Sequence, residues 1–168
     1  YNAFANRGAK YGSAEWLRVA NNDLGFQAAG RHHLLAAKHP VGSPKNPGDS
    51  RQDHIHDNTT GYVNGSNFSG WCFMLKRELW EKIGGFDADF GFYCADDSVI
   101  EQIKAIGITP MLVPAAEVRH LGSVTLMQAD NYDDLTWGYL DKFIQKYGDH
   151  RLMTNPDFLR WKASRVGG

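Results

Sequence analysis

Cysteine is scarce in this chain: Cys72 and Cys94 are the only two among 168 residues. They form no metal motif and define no disulfide framework, and Cys72 reads as a small hydrophobe within a strand. Long apolar runs are absent, so no segment reaches the roughly 20 residues that span a bilayer, and no signal-peptide pattern is visible. An excess of either charge is also missing. Lys and Arg number 18 against 19 Asp and Glu, a net charge of -1, so no strong field favours nucleic acid or an anionic membrane. Internal repeats and low-complexity tracts are lacking too. A cytoplasmic compartment is expected. What is present is a 42% hydrophobic composition, enough for one continuous core, and a single domain over residues 1–168 follows.

Periodicity predicts a helix near 2–12, a strand near 15–20 and a helix near 26–38. The segment 39–67 carries Pro40, Gly42, Pro44, Pro47, Gly48, Gly61 and Gly65 among polar residues and reads as a long loop with at most short strands. A buried strand follows at 68–76, then a short helix at 77–83, a helix at 97–106, strands near 108–113 and 116–120, and a helical part over 128–165. Within the last part, Asn155 before Pro156 predicts an N-cap with proline at the first helical position. Alternating strands and helices imply an α/β fold with a mostly parallel mixed sheet, whose ligands gather beyond the carboxyl ends of the strands.

The strongest chemical signal is Asp96-Asp97, set before the periodic Val99, Ile103 and Ile106 and the stop at Gly107. Carboxylates at a helix start are favoured in the ionised form, able to take a proton or hold a cation; one of them also suits plain N-capping. Asn21-Asn22-Asp23 follows an apolar strand and serves equally as an ordinary turn. Trp71 fits a sugar face or the core. Asp53-His54-Ile55-His56-Asp57 contains a His-x-His that, in a strand, would aim both imidazoles to one side as in a zinc hydrolase.

Taken in order, Asn21-Asn22-Asp23, Ser69-Gly70-Trp71-Cys72, Gly84-Gly85-Phe86-Asp87, Asp96-Asp97, Gly107-Ile108-Thr109-Pro110 and Arg119-His120-Leu121-Gly122-Ser123 resemble the later part of the catalytic domain of family-two, inverting glycosyltransferases of the GT-A fold. The resemblance implies an N-terminally truncated GT-A-like sandwich, without the family's first nucleotide-binding unit and with an exposed sheet edge through which the chain would self-associate. It implies transfer of a sugar from a nucleotide-diphosphate donor to a carbohydrate or other acceptor hydroxyl. Asp96 would be the general base with Asp97 beside it, Asn21, Asn22 and Asp23 the cofactor-binding turn, and Asp23 and His120 the ligands of Mn²⁺ or Mg²⁺. Gly70, Trp71 and Arg119 would meet the substrate. The family's turn is more often Asp-x-Asp, so the asparagine at position 21 removes one charged ligand. A non-catalytic sugar- or nucleotide-binding fragment is the alternative, with the His-x-His hydrolase behind it.

Overall fold

The computed structural model describes residues 2–27, 30–121 and 131–166. In chain order the elements are α1 (Asn2–Lys10), β1 (Trp16–Ala20), β2 (Leu24–Phe26), α2 (Gly30–Ala36), β3 (Val41–Lys45), β4 (Thr59–Thr60), β5 (Cys72–Lys76), α3 (Arg77–Lys82), α4 (Ala95–Ala105), β6 (Met111–His120), α5 (Tyr132–Tyr147) and α6 (Pro156–Val166). The sheet runs β1-β5-β3-β6-β2, with β4 also on β6. Residues 122–130, and with them the Gly122-Ser123 turn and the start of the expected helical part, lie outside the described residues.

The mixed α/β class is as expected, but the sheet is not mostly parallel. Only β3 and β6 pair in parallel; β5 is antiparallel to both β1 and β3, and β2 and β4 are antiparallel to β6. The strands β1, β3 and β6 still share a direction. The long segment before β5 lets it enter reversed between β1 and β3, which a helix-sized crossover does not do. That segment is also more structured than its composition predicts. β3 is a central strand whose first four residues are buried; its Pro44 is tolerated because the ladder with β6 shifts register beside it, a usual refuge for proline in a sheet. The ladder with β6 continues past that shift to Glu117, and the two strands expected around Pro114 are one strand of 10 residues.

Side-chain alternation along β5 builds two cores. Phe73 and Leu75 face Val99, Ile100 and Ile103 of α4 and Leu79 of α3, whereas Met74 turns the other way to Leu34, Val113 and Ala116, as a period of two dictates. A third cluster joins Phe90, Cys94 and Ala95 to Trp137, Leu140, Phe143 and Phe158 of α5 and α6. The residues just before the acidic pair are therefore held against α5 and α6. Asn6 explains the Gly-Gly-Phe-Asp stretch: its Oδ1 accepts from Phe86 N (2.7 Å) and Trp80 Nε1 (3.0 Å), and Gly85, whose φ of 84° favours glycine, packs closely against it. Asn155 caps α6 as expected, its Oδ1 accepting from Asp157 N at 2.8 Å. Among the described residues no strand pairs with the outer side of β1, and no helix is long and apolar enough to cross a membrane.

Candidate active site

The carboxyl ends of β1, β3 and β6 converge with the start of β5. Asp23, just past β1, places Oδ2 at 3.3 Å from His120 Nε2 at the end of β6. The register of β2 on β6 fixes this meeting, because Leu24 lies opposite His120 and Leu121 N donates to Asp23 O at 3.2 Å. Burial lowers the His120 pKa, with Asp23 opposing, so the ring tends to its neutral, ligating form. The second Asp23 oxygen is buried and has no hydrogen-bond partner. Asn21 N donates to Trp71 O at 2.9 Å, tying the turn to the start of β5. Asn22 is exposed and lines, with Asn21, a cleft of about 690 Å³ between α1 and β1.

Gly70 and Trp71 link this pair to the acidic pair. The Trp71 ring stacks on the His120 imidazole, centroids 5.0 Å apart and planes 16° from parallel, so one of its faces is already covered. On the other side a Cβ at Gly70 would overlap the Cβ of Asp96, so only glycine permits this approach. Arg51, in a bidentate pair with Asp49, interacts electrostatically with both Asp96 and His120. Arg119 is not part of the group. It is exposed and alternates with His120 along β6, which turns it to the opposite face.

The N-cap of α4 is Cys94, in the left-handed region at φ 55° and without a side-chain capping bond, so neither aspartate is the N-cap. Asp96 and Asp97 occupy the first turn. Asn64 Nδ2 bridges them, donating to Asp96 Oδ2 at 2.7 Å and Asp97 Oδ1 at 3.1 Å, and Arg151 Nη1 holds the Asn64 carbonyl at 3.2 Å. The two carboxyls then diverge. Burial, and next the Asp97 charge, push Asp96 up to about 6. Burial also opposes ionisation of Asp97, but His150, Asn64 and Arg151 outweigh it and hold that carboxyl below the usual range. Two neighbouring acids with separated affinities for a proton are a common arrangement for acid–base work. Asn64, Arg51, His150 and Arg151 were not singled out in the sequence. Asn64 and Arg51 fall in the 39–67 segment read as a loop, and His150 and Arg151 in the C-terminal part read as helical.

Cys94, Asp97 and His150 bring one potential ligand atom each within 4.8 Å of one another. Leu152 N donates to His150 Nδ1 at 3.2 Å, which leaves the ring proton on Nε2, facing Asp97. Burial pushes the Cys94 thiol up. Cys94 and His150 thus present protons where a metal would need lone pairs, while Asp97 is the ionised member of the trio. His54 and His56 are exposed and lie outside any strand, and among the described residues they join no group of three potential ligands; the premise of the hydrolase alternative is absent.

The mixed sheet, its reversed inner strand and the flanking helices form an α/β fold that is shared with a solved structure of low sequence identity. A solved structure that shares it is GalNAc-T7 with UDP, GalNAc and Mn²⁺, matched with a TM-score of 0.54 over 96% of this chain at 13% identity. The chain spans 40% of that protein's chain, and at such identity the likeness concerns the fold. No protein-family model and no curated protein sequence matches the chain.

Proposed function

We propose that the chain takes part in metal-dependent sugar transfer from a nucleotide-diphosphate donor to an acceptor hydroxyl, with inversion at the anomeric carbon. The observation that carries this is the joining of the Asp23–His120 pair to the Asn64-bridged acidic pair through consecutive residues Gly70 and Trp71. The fold likeness to a glycosyltransferase solved with UDP and Mn²⁺ supports it.

Asp23 and His120 suit a divalent cation. One is a carboxylate with an oxygen that lacks a partner, the other an imidazole inclined to neutrality, and a nitrogen ligand favours Mn²⁺ modestly over Mg²⁺. The ion would offset charge growing on the departing diphosphate. Asp96 is the base: it takes the proton of the acceptor hydroxyl as that oxygen attacks the anomeric carbon and the bond to the diphosphate breaks. Asn64 orients the carboxylate, and Trp71 steadies His120 through one face while the other is left for a sugar. Self-association through the outer edge of β1 belongs to the same proposal and is checked by sedimentation.

Calorimetry and turnover assays with UDP, GDP and dTDP sugars, with and without Mn²⁺, test the function. Binding that requires the metal and is lost in Asp23→Asn, together with turnover, is the expected outcome. Metal-dependent binding without turnover would favour the sugar-nucleotide-binding alternative. Binding indifferent to Mn²⁺ and to Asp23 would reject the cation assignment.

A further inference from the structure

His150 lies on the loop after α5, far in sequence from the acidic pair, yet its side chain is only 6% exposed. Two contacts and burial fix its ring. Phe143 meets it edge-on, centroids 5.3 Å apart and planes at 71°; Leu152 N donates to Nδ1; and burial excludes water from the rest. This leaves Nε2–H aimed at Asp97 Oδ2 from 3.7 Å, beyond hydrogen-bond length, and the nitrogen has no partner. A buried donor without an acceptor is costly and uncommon. Donors poised just out of reach are, however, frequent in ligand-free active sites, where they close on binding.

We propose that His150 is a positioning residue which keeps Asp97 as the ionised member of the acidic pair, so that a proton arriving at the pair falls to Asp96. The proposal rests on Asp96 being the base. Around Asp97 stand the other groups that set its charge: Asp96 and Cys94 on its own turn, Tyr93 before them, Asn64 from the long loop, and Arg151 beside His150. Asn64 serves both carboxylates, and burial keeps the Cys94 thiol and the Tyr93 hydroxyl protonated. Arg151 acts on Asp97 through its charge, and His150 Nε2 is the buried, unpartnered donor aimed at Asp97. If its hold were lost, the two carboxyls would become nearly equivalent and share the proton.

Carboxyl ¹³C NMR titration of the wild type, His150→Ala and His150→Gln tests this without any assay of transfer, so failure of the transferase reading would leave the result readable. In the wild type Asp97 is expected to ionise first. His150→Ala should raise the lower of the pair's two apparent pKa values by about one unit, a tenfold change in that protonation step, and His150→Gln, whose amide offers an N–H in the same direction, should restore much of it. A His150→Ala protein that keeps its circular dichroism spectrum and titrates as the wild type would overturn the proposal; so would a His150→Gln protein that titrates like His150→Ala.

Discussion

Neighbouring aspartates of one helical turn acquire opposite characters from what touches them. Asp97 is held ionised by groups from two other segments, while Asp96 sits under Gly70 and beside the Asp97 charge and has its pKa raised. For a base the consequence is specific. The active form is the anion, so transfer is expected to be full well above pH 6, about half at that value and lower still as pH falls further. Asp96→Asn should lower kcat by roughly 10²–10⁴-fold while sparing the fold and donor affinity. A rate profile flat through pH 6, or near-normal turnover of Asp96→Asn, would move the base elsewhere. The carboxylates themselves were legible in the sequence because a helix start has a recognisable pattern. Their bridge, Asn64, was not, since nothing in a polar loop tells which residue folds back. Arg119 lies on the face of β6 opposite His120 for a local reason: adjacent residues of a strand face opposite ways.

Elements are legible to the extent that their pattern is local. The helix ending at Gly107 lies at 95–105 rather than 97–106, and β1 falls on the expected apolar run. By contrast, β3 was hidden by Gly42 and Pro44, and β2 by its length of 3 residues; both owe their state to partners in β6. The polar segment between β3 and β5 is tied down by a relay whose inner half is buried. His120 N donates to Asn46 Oδ1 (3.1 Å), Asn46 N to Gln52 Oε1 (2.8 Å), Gln52 Nε2 to Ser69 Oγ (2.9 Å), and Ser69 Oγ to Pro44 O (2.8 Å). Gln52 is fully buried. Gln52→Ala removes the middle link and strands a donor, at an expected cost of about 1–3 kcal/mol. Because the relay ends at His120, amide exchange at Asn46 and His120 should also accelerate. Chemical denaturation and hydrogen exchange measure both effects, and a variant of wild-type stability and protection would show the relay to be incidental.

On the scale of the whole molecule, Asp87 joins three helices that the sequence could not place relative to one another. Its carbonyl accepts from Asn2 of α1 (2.9 Å) and its N–H donates to Gln102 of α4 (2.9 Å). Its carboxylate takes Tyr147 Oη (2.6 Å) and Lys146 Nζ (2.7 Å) from α5. Burial alone would raise its pKa, but the bonds from Lys146, Tyr147 and Asp89 N outweigh it, and the carboxyl sits below its ordinary 3.8. A depressed folded value means that ionised Asp87 stabilises the fold above the unfolded pKa and that this contribution is lost as pH falls through the folded one. Asp87→Asn should therefore reduce stability near neutral pH by about 1.5–3 kcal/mol, as expected for a hydrogen-bonded charge. The same substitution should cost progressively less as pH drops below 4. Denaturant unfolding of both proteins at pH 7 and near pH 3 reads the difference directly; a gap of equal size at the two pH values would assign the loss to packing rather than to the charge. The effect should reach the candidate site as well. Tyr147 closes α5, and His150 follows it by three residues, so loosening this clamp should let His150 drift from Asp97 and bring the titrations of Asp96 and Asp97 closer together.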